Sequence, residues 1–118
     1  MKKLFIAICM AMLVACGNNE SNYQSKDNMN KLELTQEWDK VFPLSENVNH
    51  RKVTFDTQYG FTLAADLYEP KDAKAPLAAI AVSGPFGATK EQSSGLYAMR
   101  MAERGFVALA FDPSYTGE

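Results

Sequence analysis

Two continuous apolar runs restrict the fold of this chain more than any other feature. They occupy 77–82 (LAAIAV) and 106–111 (FVALAF), and each has the length of a strand. A strand that is apolar throughout is typical of a parallel sheet with both faces covered. The intervening segment is long enough for a crossover helix. The pair therefore predicts a parallel strand–helix–strand unit of an α/β protein.

The crossover helix is predicted over about 92–104. Leu96, Met99 and Ala102 recur every three residues, so this face of the helix should lie against the sheet. Gly105 follows the last turn, where a helix end favours a residue in the left-handed region.

An antiparallel hairpin is predicted before this unit. Val53 and Phe55 alternate with polar residues in 51–57, and Tyr59-Gly60 supplies a turn. The second strand, 61–68, carries in-phase apolar residues, which are Phe61, Leu63, Ala65 and Leu67. The segment 69–76, in which Pro70 and Pro76 flank Lys and Asp residues, is predicted to be a surface loop.

The N-terminus predicts export and lipidation. Lys2 and Lys3 precede an apolar stretch, 4–14, that is shorter than the ~20 residues of a membrane span. Leu-Val-Ala-Cys follows and resembles the cleavage site of bacterial lipoprotein signals, which implies removal of 1–15 and acylation of Cys16. Three acyl chains, as on bacterial lipoproteins generally, would anchor the chain stably in a membrane. A buried Cys16 behind an ordinary transmembrane segment is the alternative.

Processing also changes the charge of the chain. Removing 1–15 removes two lysines and no acidic residue, so the formal charge falls from −2 to −4. This gives no indication of nucleic-acid binding. With Cys9 removed and Cys16 acylated, no thiol is left for a disulfide. Gly17 after the lipidated Cys favours the outer membrane in the sorting pattern of enteric bacteria.

A tether and an apolar clip are expected between the anchor and the sheet. The segment 16–30 is rich in Asn and Ser and is predicted to be a flexible tether. The folded domain is predicted to span 31–118. At its start, Trp38, Val41 and Phe42 have helical spacing, and Pro43 should end that short helix, which we expect to pack on the domain.

The loop between the first apolar run and the helix is the candidate site. Its sequence, Ser-Gly-Pro-Phe-Gly-Ala-Thr-Lys-Glu-Gln over 83–92, lies at the C-terminal end of a strand, where ligands of open α/β sheets bind. Two glycines around Phe86 allow a tight turn with backbone N–H groups in a cleft, as an oxyanion hole requires. Pro85 has no N–H, so the available donors begin at Phe86. Simple strand-to-helix punctuation is the alternative.

The chain resembles a known family from about Trp38 onward. The runs FDTQYGFTLAADLYEP and IAVSGPFGATKEQSSGLYAMRMAERGFVALAFDPSYTGE are similar to the N-terminal portion of dienelactone-hydrolase-like members of the α/β-hydrolase superfamily. The loop, the Ala-Glu-Arg-Gly-Phe helix end and the Phe-Asp-Pro-Ser-Tyr-Thr-Gly-Glu turn carry the likeness. The resemblance implies a mixed sheet that opens with an antiparallel hairpin.

The same resemblance implies site residues. The family's loop after the third strand supplies an oxyanion-hole N–H, which falls on Phe86, with Gly87 as the neighbouring candidate. The turn after the fourth strand borders the cleft, which falls on Asp112, Tyr115 and Gly117 as cleft-lining positions. The substrate class implied is an ester or related acyl compound.

The catalytic triad of the family is absent. A nucleophile elbow, Gly-x-Ser-x-Gly or Gly-x-Cys-x-Gly, should precede an acid and a terminal His. Ser83, Ser93 and Ser114 do not lie in such a pattern. His50, the sole histidine, precedes the first strand and is expected to be a surface loop residue. The sequence as it stands is therefore not expected to hydrolyse substrates efficiently.

No cofactor or metal is expected. One His and scattered carboxylates give no ligand spacing. The run Gly-Pro-Phe-Gly lacks both the G-x-G-x-x-G pattern and a P-loop lysine.

Two hypotheses follow from the sequence. The chain is either the front part of a lipid-anchored hydrolase, truncated before its nucleophile, or a small non-catalytic lipoprotein that uses the half-domain as a binding or structural module. A half-sheet of this kind should leave the 77–82 strand without a neighbour on its outer side and one sheet face bare.

We predict that residues 16–118 alone are unstable or self-associate, because each uncovered Ile, Leu or Phe forgoes about 1.5–3 kcal/mol of burial. Thermal unfolding at several protein concentrations measures this. A sharp, reversible transition of the monomer that does not depend on concentration contradicts the prediction.

Overall fold

The computed structural model describes residues 32–74 and 76–117. The predicted signal peptide, Cys16 and the predicted tether all lie outside the described residues. In the described part, no helix is long and apolar enough to cross a membrane.

The described residues form a mixed sheet with a helix on one face. The strands are β1 (Val48–Asp56), β2 (Thr62–Pro70), β3 (Ala79–Ser83) and β4 (Val107–Phe111), in the order β1-β2-β4-β3. β1 pairs with β2 and β2 with β4 in antiparallel fashion, while β3 and β4 are parallel. The predicted hairpin and parallel strand–helix–strand unit are both confirmed.

The hairpin turn follows from its glycine. The N–H of Gly60 donates to the Thr57 carbonyl at 3.0 Å, and Thr57 N–H donates to the Phe61 carbonyl at 2.8 Å. Gly60 has a φ of +81°, which a residue with a Cβ adopts at a cost. This turn sets a register that places Phe55 opposite Leu63 and Val53 opposite Ala65.

The regular α-helical part of the crossover is shorter than predicted. It begins with a wide turn over Lys90–Ser94, in which Gln92 is outside the helical region (φ −95°, ψ −136°), and continues as α1 (Gly95–Glu103). Gly105 has a φ of +96°, which confirms its role at the helix end.

The helix face is partly different from the predicted one. Met99 and Ala102 are buried as expected, but Leu96 is exposed, and Gly95 and Ala98 are buried instead. The buried stripe therefore follows the i, i+3, i+4, i+7 spacing of a helix packed through small residues. Small residues let α1 approach the sheet closely, where it packs on Tyr68, Ala108 and Ala110.

The apolar alternation of the hairpin marks the sheet face that points away from α1. Tyr68 of β2 belongs to the core beneath α1, so Leu63, Ala65 and Leu67, of opposite parity, point to the other face. Phe55 and Phe111 share that face, with ring centroids 6.0 Å apart. Within the described residues no helix covers this face, and β3 pairs with β4 alone. Among residues 32–74 and 76–117, this face and the outer edge of β3 are therefore uncovered.

The segment before β1 is not helical, which corrects the sequence prediction. From position 32 to Asn47 the chain is irregular, with bends and a turn but no helix or strand, and Val41 is fully exposed. Trp38 Nε1 donates to the Phe42 carbonyl at 2.8 Å, and the two rings pack edge to face at 5.6 Å. This contact turns the chain back on itself where a helix would have continued. Trp38 and Phe42 nevertheless pack on the core, as the predicted clip should.

A largely buried charge cluster, formed by Lys40, His50, Lys52, Asp66 and the 34% exposed Asp39, joins this segment to the hairpin. Lys40 Nζ lies 3.0 Å from Asp66 Oδ2, and both side chains are fully buried. His50 Nε2 lies 2.7 Å from Asp66 Oδ1. The Asp39 carboxylate lies 2.5 Å from Lys40 Nζ through Oδ1 and 2.5 Å from Lys52 Nζ through Oδ2. The fixed charges of the two lysines and two aspartates balance, which is what burial of ions requires.

The position of His50 corrects a second prediction. His50 is a residue of β1 whose side chain is 5% exposed, not a surface loop residue. Its ring lies between Trp38 and Tyr68, with centroids 5.0 Å from each.

Both carboxylates of the cluster have lowered pKa values. Burial acts to raise the pKa of Asp66, but hydrogen bonds from His50 and Lys40 outweigh it. The same balance, with Lys40 and Lys52 as donors, lowers the pKa of Asp39 from 3.8 to about 2. A carboxylate with a lowered pKa stabilises the fold above its unfolded pKa. That stability is lost as pH falls through the folded pKa.

We predict that Asp66→Asn lowers the free energy of unfolding by about 3–5 kcal/mol, because it removes the buried one of the two carboxylates that neutralise Lys40, and the one that His50 contacts. It should also weaken the loss of stability below about pH 4. Urea unfolding of the full chain, followed by the fluorescence of Trp38, measures both effects. Asp72→Asn, at an exposed carboxylate, is the control. Equal urea midpoints for the two variants would refute the prediction.

Candidate active-site edge

Two loops meet at the C-terminal edge of the parallel strands. The loop 84–89 follows β3 and the turn 112–117 follows β4. Since Ser83 and Phe111 are register partners in adjacent parallel strands, both loops leave the sheet at the same level. This is the edge at which open α/β sheets bind ligands.

The first loop contains the turn that the sequence predicted. Ala88 N–H donates to the Pro85 carbonyl at 3.0 Å, and Gly87, the third residue of the turn, has a φ of +82°. This is the pattern of a type II turn, which also accepts proline at its second position. Among the described residues, the Phe86 N–H donates no backbone hydrogen bond. It is therefore available to a ligand, as an oxyanion-hole donor must be.

The second loop is closed by its own backbone. Thr116 N–H donates to the Pro113 carbonyl at 3.0 Å. Tyr115 has a φ of +67°, an uncommon conformation for a residue other than glycine, and its side chain is 93% exposed. Backbone strain of this kind concentrates at functional sites.

A cavity of about 390 Å³ lies beside the second loop. Its walls come from the start of β2 and from the turn after β4, and are formed by Phe61, Thr62, Leu63 and residues 112–117. The rings of Phe61 and Tyr115 lie 5.8 Å apart. Asp112, Tyr115 and Gly117 thus line a cavity together, whereas Phe86 and Gly87 do not belong to its wall.

Asp112 has a second role that the sequence did not predict. Its side chain is 1% exposed, and its carboxylate accepts hydrogen bonds from the backbone N–H of Lys90 at 2.7 Å and from Lys90 Nζ at 2.8 Å. Lys90 Nζ also lies 2.5 Å from Glu91 Oε1. Burial acts to raise the pKa of Glu91, but hydrogen bonds from Lys90 and Thr89 outweigh it and lower the pKa. The three side chains form an ion-pair cluster under the two loops.

The His50–Asp66 pair does not supply a catalytic base. It has the 2.7 Å contact of a base and its orienting acid. However, Asp66 is fully buried and neither residue lines the described cavity. The pair belongs to the buried charge cluster of the fold. In the described part of the chain, no group of three or more His, Cys, Asp or Glu side chains is placed to hold a metal ion.

The chain is similar to two bacterial proteins. The uncharacterized protein PA2218 of Pseudomonas aeruginosa is 60% identical over 118 residues, which covers 96% of this chain and 32% of PA2218. The crystal structure of PA2218 matches with a TM-score of 0.72 and 72% identity, over 77% of this chain and 28% of that one. The uncharacterized protein YcjY of Escherichia coli K12 is 42% identical over 73 residues, covering 58% of this chain and 24% of YcjY.

The chain therefore spans a third or less of the length of the curated relatives it matches. No family model matches it. A cold-adapted esterase from an Arctic intertidal metagenomic library matches with a TM-score of 0.50 and 20% identity, over 70% of this chain and 35% of the esterase. At this identity the likeness concerns the fold alone. The described residues have the N-terminal part of the α/β-hydrolase fold.

Proposed function

We propose that this chain is the N-terminal part of a lipid-anchored, dienelactone-hydrolase-like enzyme of the bacterial envelope that acts on esters or related acyl compounds. In this proposal the loop 84–89 supplies one oxyanion-hole donor, the Phe86 N–H. The turn 112–117 borders the substrate cleft. The nucleophile, acid and His of the triad come from sequence outside the 118 residues.

The observation that carries the proposal is the shared edge of the two loops. A type II turn with an available N–H and a turn lining a cavity leave adjacent parallel strands at one level. An acyl-transfer site needs this combination of a fixed donor and a cleft for the acyl group. The length of PA2218, of which the chain spans 32%, leaves ample sequence for a triad in a protein of that kind.

We predict that the backbone N–H of Phe86, and not its ring, contributes to catalysis. The test uses a chimera in which residues 32–117 replace the segment of PA2218 that aligns with them. Phe86→Pro removes the N–H at a turn position that accepts proline. It should lower kcat for p-nitrophenyl esters about 10²–10³-fold, the usual effect of losing one oxyanion-hole donor.

Phe86→Ala is the matched control, because it removes the ring and keeps the N–H. Its kcat should stay within about threefold of the parent chimera. Equal losses in the two variants would refute the donor role of the N–H. A parent chimera that neither hydrolyses esters nor reacts with a fluorophosphonate probe would refute the hydrolase proposal and favour a non-catalytic binding module.

The membrane anchor gives a separate prediction. Cys16→Ala should block acylation, because the alanine side chain has no thiol to form the thioether, and the variant should lack the mass of the acyl groups. The intact mass of the native protein, with its lipid attached, should correspond to a chain that begins at Cys16 and carries acyl groups. A native protein whose intact mass includes residues 1–15 and no acyl group would instead identify an uncleaved transmembrane segment.

A further inference from the structure

Both carboxylate oxygens of Asp112 contact Lys90, the residue that directly follows the loop 84–89. Oδ1 accepts the backbone N–H of Lys90 at 2.7 Å, and Oδ2 lies 2.8 Å from Lys90 Nζ. One contact fixes the backbone of Lys90 and the other fixes the end of its side chain. Two contacts to one residue hold its orientation as well as its position, because rotation about either contact breaks the other.

The pair is protected from water. Lys90 is fully buried and the Asp112 side chain is 1% exposed. A buried ammonium needs a close counter-charge, and Glu91 and Asp112 both supply one. Removing the charge of Asp112 therefore removes one counter-charge of the buried Lys90 ammonium. The Lys90 side chain must then change its position or become hydrated.

The loop between β3 and Lys90 transmits this position to Phe86. Gly84 packs against Ala88 so closely that a Cβ at position 84 would lie 3.0 Å from the Ala88 Cβ. The turn hydrogen bond from Ala88 to Pro85 fixes the middle of the loop, and Ser94 Oγ donates to the Thr89 carbonyl at 3.3 Å. With β3 at one end and Lys90 at the other, the loop has little freedom to reorient the Phe86 N–H.

The Asp112 carboxylate also supports the turn 112–117, here called the cleft turn. The loop 84–89, with the Phe86 N–H, is called the oxyanion loop. A Cβ on Gly117 would collide with the Asp112 carboxylate, so the turn 112–117 folds directly over it. The φ of Gly117, +72°, also favours glycine. The backbone N–H of Asp112 donates to the Ala64 carbonyl of β2 at 3.1 Å, which ties the residue to the sheet. Asp112 thereby contacts the sheet, the cleft turn and the oxyanion loop.

We infer that Asp112 is a positioning residue that, through Lys90, locks the oxyanion loop to the cleft turn and sets the direction of the Phe86 N–H. The inference rests on the proposed function for its catalytic consequence. The lock itself is a property of the described residues. Asp112 thus acts on the reaction through Lys90 and not through a contact with substrate.

Hydrogen exchange of the full 118-residue chain in detergent micelles tests the lock. In Asp112→Asn, amide exchange in 84–90 and 113–117 should rise at least about tenfold, while exchange in β1 and β2 stays within about twofold. Lys90→Met should give the same pattern, although it leaves Asp112 unchanged. Glu103→Gln, which alters the exposed ion pair with Arg100, is the control and should change neither loop. A uniform rise across the chain, or no rise in the loops, overturns the inference.

Kinetics of the PA2218 chimera test the positioning role. Asp112→Asn and Lys90→Met should each lower kcat about 10–100-fold with KM within about twofold, as expected for a displaced catalytic group. The kcat of the double variant should lie within about twofold of the kcat of either single variant, because the two residues act as one unit. A raised KM with unchanged kcat would make Asp112 a substrate contact and overturn the inference. If the parent chimera is inactive, the proposed function fails, and hydrogen exchange alone decides the lock.

Discussion

The candidate site depends on the ion pair between Lys90 and Asp112. The residues are 22 positions apart in sequence and fully or almost fully buried. Without the pair, the loops after β3 and β4 would share only the sheet beneath them. With it, they become one rigid edge, in which a turn with an available N–H lies on one side and a cavity wall on the other. Buried charges in a small domain are costly unless paired, so the pairing also specifies this arrangement over looser ones.

The charge cluster around Asp66 connects the segment before β1 to the hairpin. Lys40 and Asp39 belong to the segment before β1, whereas His50, Lys52 and Asp66 belong to the hairpin. Their contacts hold an irregular segment against the sheet, in the place where the sequence predicted a short helix. The helix-facing side of the hairpin is polar for this reason. The domain thus uses ion pairs at two places to fix segments that lack regular secondary structure.

The described residues leave one sheet face and the outer edge of β3 uncovered, and the relatives of this chain are about three to four times longer than the matched part. Phe55, Leu63 and Phe111 lie half-buried on a face that no described helix covers. The chain spans 32% of PA2218 and 24% of YcjY. A parallel sheet is stable when both faces are covered. These surfaces are consistent with the proposal that the catalytic half of the domain lies in sequence beyond the 118 residues.

The sequence by itself determined the strands, their order along the chain and the turns. Continuous apolar runs, Gly60, Gly87 and Gly105 carry that information locally, because strand burial and positive φ leave a direct signature in composition. Only the tertiary structure decided that Trp38 bends the chain, that His50 is buried and that Asp112 binds Lys90. These features depend on contacts between side chains that are distant in sequence. The residue type alone does not distinguish a charged residue in a buried ion pair from one on the surface.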